Sequence, residues 1–116
     1  MALVRLLLSH NSFSGNIPAS LSYLSSLEQL SLDGNSLEGS IPVAFNNLTS
    51  LVRLELNGNN LSGSFPVLSA LEKLNFLDGS VNQFSGSIPP AALPPSLVEL
   101  TLRNNELSGD LGFNLV

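Results

Sequence analysis

The stretch "LSLDGNSLEGSIP", Leu30 to Pro42, returns as "LELNGNNLSGSFP", Leu54 to Pro66, offset by 24 residues at every shared letter. Extending that register in both directions gives five blocks: "LVRLLLSHN" from Leu3, "LEQLSLDGN" from Leu27, "LVRLELNGN" from Leu51, "LNFLDGSVN" from Leu74 and "LVELTLRNN" from Leu97. They stand 24, 24, 23 and 23 residues apart. Each reads L-x-x-L-x-L-x-x-N, with one lapse at Gly79.

The alternation Leu54-x-Leu56 puts two side chains on one face of a short extended strand and Glu55 on the other. Strands repeated by a fixed translation are parallel, and a parallel pair needs a return path of about a dozen residues or more. The rest of each repeat supplies it, so the chain coils. Asn11, Asn35, Asn59, Asn82 and Asn105 fall where each strand turns away. Their amides are suited to satisfying backbone groups freed at the turn and to pairing along the stack. A Ser-Gly or Glu-Gly pair follows, then Ile17, Ile41, Phe65 or Ile88 returns to the core, and Pro18, Pro42, Pro66 or Pro89 limits any second strand. Behind the prolines, Leu21/Leu24, Phe45/Leu48 and Leu68/Leu71 are three apart, which predicts one helical or 3₁₀ turn per repeat. "PPAALPPS" predicts a loop with a single turn and the least regular stretch of the convex side.

These residues resemble the plant extracellular type of leucine-rich repeat, L-x-x-L-x-L-x-x-N-x-L-S-G-x-I-P, over Leu3 to Leu111. The resemblance implies an α/β solenoid. It would be a right-handed superhelix with a concave parallel β-sheet, short second strands and a 3₁₀ or irregular convex side. The expected organisation is one array of five repeats, 3–26, 27–50, 51–73, 74–96 and 97–116, without capping domains. Departures from the pattern are Gly79, and Gly112 in place of proline, both weakening regularity locally. "ALPPSLVELTLRNNELSG" is particularly similar to receptor-like proteins of that group. By the same register "MALVRLLL" is expected to be a first repeat rather than a targeting signal, for Arg5 splits its short apolar run. The missing caps, whose family versions carry cysteine, suggest a piece of a longer array. Leu3, Leu6 and Leu8 at one end, and Leu111, Phe113 and Leu115 at the other, would then face solvent or a second copy end to end.

Composition narrows the function. With 4 basic against 9 acidic residues and a net charge of -5, the chain repels nucleic acid. Cysteine is absent, which excludes disulfides, thiolate metal sites and thiol nucleophiles. No apolar run reaches the ~18 residues of a membrane-spanning helix. The only histidine, His10, has no carboxylate beside it in sequence and reads as a solvated surface residue. Ser14, Ser62, Ser85 and Ser108 follow the repeat, and no nucleotide, hydrolase or calcium motif occurs. Neither a catalytic site, a metal nor a cofactor is expected. Asp33-Gly34 and Asn57-Gly58 look like hairpin turns in isolation, but their register with the leucine block overrides that reading. Two N-x-[ST] sequons occur, at Asn47 and Asn60; Asn47, on the convex return, is the better-placed glycan carrier because Asn60 lies beside the asparagine stack.

The outward strand positions form three columns: Arg5, Gln29, Arg53, Phe76, Glu99; Leu7, Ser31, Glu55, Asp78, Thr101; and Ser9, Asp33, Asn57, Ser80, Arg103. Strands about 4.8 Å apart make these a patch roughly 20 Å wide. Phe76 is its one large outward aromatic, and arginine and aromatic side chains supply binding anchors. The expected ligand surface is Arg5, Gln29, Asp33, Arg53, Glu55, Asn57, Phe76, Asp78, Glu99, Thr101 and Arg103. By resemblance, the chain is a non-enzymatic module of a plant receptor-kinase or receptor-like ectodomain at the cell surface. It would bind a protein or peptide and engage a co-receptor. The alternative is a secreted defence-type inhibitor of a pathogen enzyme, which needs only its target.

Overall fold

The computed structural model describes residues 2–108. Each leucine block forms a three-residue strand: β1 (Arg5–Leu7), β3 (Gln29–Ser31), β5 (Arg53–Glu55), β7 (Phe76–Asp78) and β9 (Glu99–Thr101). Between them lie the second strands β2 (Ser14–Asn16), β4 (Ser36–Gly39), β6 (Asn60–Ser64), β8 (Gln83–Gly86) and β10 (Glu106–Leu107). Odd and even strands build two separate five-stranded sheets, in the orders β1-β3-β5-β7-β9 and β10-β8-β6-β4-β2. All pairings are parallel, so the described chain is a solenoid of stacked coils.

The two sheets differ in register. In the first, Arg5 pairs with Gln29, Gln29 with Arg53, Arg53 with Phe76 and Phe76 with Glu99, one full repeat at each step. In the second, Ser14 pairs with Ser36, Glu38 with Asn60 and Ser62 with Gln83, two residues short of the repeat each time. Two residues of strand are about 6.6 Å. One edge of the array is therefore sheared while the other is not.

Between the sheets runs one core. Leu30, Leu54 and Leu77 are fully buried, as are Leu27, Leu51 and Leu74 at the entry to each coil, and Ile17, Ile41, Phe65 and Ile88 return to it as their spacing predicts. Burying a leucine side chain stabilises by roughly 1.5–3 kcal/mol, so a short strand with few hydrogen bonds is held by its neighbours above and below.

The convex side corrects one expectation. Helices η1 (Ala19–Tyr23) and η2 (Val43–Asn47) follow Pro18 and Pro42, and η3 (Pro90–Ala92) forms within "PPAALPPS". The third repeat, despite Leu68 and Leu71, contains no helix. Its Leu68 lies two residues beyond Pro66, where Phe45 lies three beyond Pro42. The first bond of the 3₁₀ series, Phe45 N–H to the Pro42 carbonyl at 3.0 Å, thus has no counterpart, and Leu68 N–H donates to the Ala92 carbonyl of the next coil at 2.7 Å. The least regular return is the third, not the fourth.

Gly79 is buried where other repeats carry leucine. A side chain there would begin 3.0 Å from Leu102 Cδ2 and 3.4 Å from Phe84 Cε2. Phe65 and Phe84, both larger than the usual Ile and Leu at their positions, occupy that volume edge to face, centroids 5.3 Å apart at 75°. The lapse in the leucine pattern is thus compensated by two aromatics.

Gly112, Leu111, Phe113 and Leu115 lie outside the described residues.

Candidate functional site: the concave sheet

The asparagines come first because they fix the edge of the sheet. Asn59 Nδ2 donates to the carbonyls of Leu56 in its own coil at 3.1 Å and Leu32 in the preceding coil at 3.0 Å. Its Oδ1 accepts the N–H of Leu37 at 3.0 Å. Asn82 repeats the pattern with Leu56, Gly79 and Leu61, and Asn105 with Gly79, Leu102 and Phe84. Asn35 does the same with Leu8, Leu32 and Phe13, while Asn11 Nδ2 reaches only the Leu8 and Ser9 carbonyls. The amides join coil to coil through backbone groups; among the described residues they do not pair side chain to side chain, as the sequence reading had it. The reason is spacing: each amide sits between two turns of backbone that offer free donors and acceptors on both sides.

The residue before each of these asparagines is left-handed: His10 (φ 55), Gly34 (φ 68), Gly58 (φ 70), Val81 (φ 54) and Asn104 (φ 60). The N–H groups of the first four cross to the next coil, for example His10 to Asp33 O at 2.9 Å and Gly34 to Asn57 O at 3.0 Å. The Asp-Gly and Asn-Gly dipeptides serve this turn. This common conformation is the feature that reading the sequence missed, and its signal was already there in Asp33-Gly34, Asn57-Gly58 and Asn104-Asn105.

Two of the three columns read from sequence are register columns in the structure. Arg5, Gln29, Arg53, Phe76 and Glu99 are register partners across five strands, as are Leu7, Ser31, Glu55, Asp78 and Thr101. At the centre Arg53 Nε donates to Glu55 Oε1 at 2.7 Å, two residues along the same strand face. Its guanidinium lies over the Phe76 ring, 3.8 Å from the centroid. Ser31 Oγ donates to the same Glu55 oxygen at 3.4 Å. Arg53 is exposed, whereas Glu55 and Phe76 are half-buried, so the cation is raised above a floor that fixes its orientation.

Around this centre the polar residues divide. Arg5, Glu99 and Arg103 are exposed, and Gln29, Asn57, Asp78 and Thr101 half-buried. Asp78 Oδ1 accepts both the N–H and the hydroxyl of Ser80, at 3.0 and 2.7 Å. Asp33 is only 8% exposed and accepts the Ser9 hydroxyl at 2.6 Å, so it presents little free carboxylate to a ligand. His10 is the solvated surface residue its sequence suggests, its side chain 80% exposed, but its Nε2 stands 3.6 Å from Asp33 Oδ2. Neighbouring coils bring together what the sequence separates by 23 residues. Ser9 donates to the carboxylate and not to the imidazole, so the trio lacks the hydroxyl-to-base bond of an activated nucleophile.

A family model described as leucine rich repeat matches residues 2–61. The chain belongs to the leucine-rich repeat family. A comparison of this repeat chain with curated proteins found no match. Among solved structures it resembles the BIR3–SERK2 complex from Arabidopsis thaliana, with 44% identity over 90% of this chain and 57% of that one, at a TM-score of 0.83. It also resembles the plant peptide hormone receptor RGFR1 in complex with RGF2, with 40% identity over 90% of this chain and 17% of that one, at a TM-score of 0.89. A third is the Arabidopsis receptor kinase HAESA, solved with the peptide hormone IDA and the co-receptor SERK1: 42% identity, 92% of this chain, 18% of that one, TM-score 0.86. This repeat array thus has the fold of plant receptor-kinase ectodomains and spans from under a fifth to somewhat over half of the chains it matches. The secreted-inhibitor alternative gains nothing from these likenesses.

Among the described residues no group of acidic, histidine or cysteine side chains is arranged to hold a metal ion, and no helix is long and apolar enough to cross a membrane.

Proposed function

We propose that this chain is a non-enzymatic recognition module within an extracellular receptor-type array, binding a peptide or protein segment along its concave sheet. The observation that carries the reading is Arg53, held by Glu55 and laid over Phe76 at the middle of the five strands. An arginine clamped by a carboxylate and an aromatic has already lost much of its side-chain freedom, so a ligand that contacts it pays less ordering entropy. The flanking Gln29, Asp78, Glu99 and Thr101 offer both donors and acceptors to an extended chain lying across the strands. Arg5 and Arg103 stand towards the two ends of the patch.

The complexes of RGFR1 with RGF2 and of HAESA with IDA and SERK1 support a peptide ligand and a co-receptor for the longer protein of which this array would be part. The same likeness supports a role in signalling at a plant cell surface, and a kinase or membrane anchor would belong to that longer protein. The partly exposed apolar edge of the first coil, Leu3, Leu6 and Leu8, is where a further coil or a second copy would stack.

The test is selection of a random phage-displayed peptide library on the immobilised chain. Peptides enriched on the native protein should lose binding to Arg53→Ala/Phe76→Ala by about tenfold or more, as expected of central anchors. Equal binding to both proteins would remove the concave centre from the site.

A further inference from the structure

The convex side carries a sequon, Asn47-Leu48-Thr49, in the coil next to an exposed tyrosine. Tyr23 is the last residue of η1 and Asn47 the last residue of η2. The two helices are in contact. Both lie five residues beyond their prolines, Pro18 and Pro42, and the next backbone N–H bonds back equivalently, Leu24 to Leu21 at 3.1 Å and Leu48 to Phe45 at 3.0 Å. Tyr23 and Asn47 therefore hold equivalent positions in neighbouring coils. Tyr23 is 84% exposed, the most exposed large apolar side chain among the described residues.

Asn47 opens the sequence Asn47-Leu48-Thr49, an acceptor for N-linked glycans. Leu48 is fully buried, which pins the segment, while Asn47 and Thr49 on either side are exposed. The preceding Asn46 is turned away, its Oδ1 accepting the Ala70 N–H at 3.0 Å. The second sequon differs. Asn60 is exposed but belongs to β6, the middle strand of the second sheet, with Glu38 as its register partner.

We propose that Asn47 is an N-glycosylation site and that the first N-acetylglucosamine of its glycan packs on one face of the Tyr23 ring. In the transfer, Asn47 Nδ2 attacks C1 of an oligosaccharide carried on a lipid pyrophosphate. The N–C1 bond forms, the C1–O bond breaks, the amide proton is lost, and the lipid pyrophosphate departs. The sugar's axial C–H face is apolar and fits an aromatic face. The glycan stands opposite the concave sheet, so it covers the convex side and leaves Arg53 and Phe76 open. Only the physiological setting of this site rests on the extracellular reading; its acceptor geometry does not.

The experiment therefore separates the two. The chain, fused to a removable secretion leader, is produced in a eukaryotic cell line and its intact mass measured before and after peptide-N-glycosidase. One glycan is expected, lost in Asn47→Gln and in Thr49→Ala and kept in Asn60→Gln. No glycan, or a glycan lost only in Asn60→Gln, would overturn the site whatever the native address of the protein. Tyr23 is the sole tyrosine in a chain without tryptophan, so its fluorescence reports the contact directly. Covering one of two ring faces should lower acrylamide quenching about twofold relative to Asn47→Gln. Equal quenching in the two proteins would overturn the packing on Tyr23.

Discussion

The guanidinium of Arg53 lies 3.8 Å from the centroid of the Phe76 ring on the next strand, while its Nε is bonded to Glu55 at 2.7 Å. Strand β5 supplies the cation and its carboxylate because residues two apart share a face, and β7 supplies the ring because the register is one full repeat. At a side chain 44% exposed the pairing contributes little to stability, on the order of 0.5–1 kcal/mol for the cation–π contact. Arg53→Ala and Phe76→Ala should accordingly unfold in urea close to the native protein, with a coupling energy in a double-mutant cycle below about 1 kcal/mol. A large loss of stability in either variant would make the pair structural and weaken its assignment to binding.

The asparagine ladder should show a gradient. Asn59 is buried and bonds to two coils, so Asn59→Ala leaves the Leu32 and Leu56 carbonyls and the Leu37 N–H without their partner. The expected cost is on the order of 3 kcal/mol. Asn11 is exposed and its amide donates only within its own coil, and its replacement by Ala should cost less than about 1 kcal/mol. Chemical denaturation of the two variants compares them directly.

Val81 holds φ 54 at a position where two other coils use glycine. A β-branched residue is poorly suited to the left-handed region, so Val81→Gly should be stabilising by about 1 kcal/mol once the added unfolded-state entropy is subtracted. Gly34→Ala is expected to do the opposite. Its φ is 68, and the new Cβ would collide with the His10 imidazole and displace it from Asp33. Melting temperatures of the two variants should move in opposite directions.

Restoring the repeat pattern at Gly79 should harm the protein. Leucine there would start 3.0 Å from Leu102 and 3.4 Å from Phe84, and overpacking of this kind costs about 1–3 kcal/mol. Phe84→Leu should recover part of that loss in Gly79→Leu, although alone it opens a cavity. Additive losses in a calorimetric comparison would show that the two positions do not share one volume.

Most of the architecture was legible because a solenoid writes its geometry as a period. Leu30, Leu54 and Leu77 recur with the coil, and so the columns from Arg5 to Glu99 and from Leu7 to Thr101 could be drawn before any coordinate. What the period hid was whatever one coil does to the next. His10 gave no sign of Asp33, since the carboxylate that approaches it belongs to another repeat. Asp33 itself looked available and is buried under Ser9. The missing helix of the third repeat turns on one residue between Pro66 and Leu68, below the resolution of a spacing argument. Gly79 looked like a defect in one letter and became intelligible only with Phe65 and Phe84 beside it.

The concave sheet as the recognition surface is tested most directly by amide chemical-shift mapping of the isotopically labelled chain titrated with a peptide selected on it. The account predicts shifts concentrated at Arg53, Glu55, Phe76 and Asp78 and fading along the columns towards Arg5 and Glu99. Shifts centred on the second sheet, β2 to β10, or on η1 and η2, with the concave columns unmoved, would contradict it.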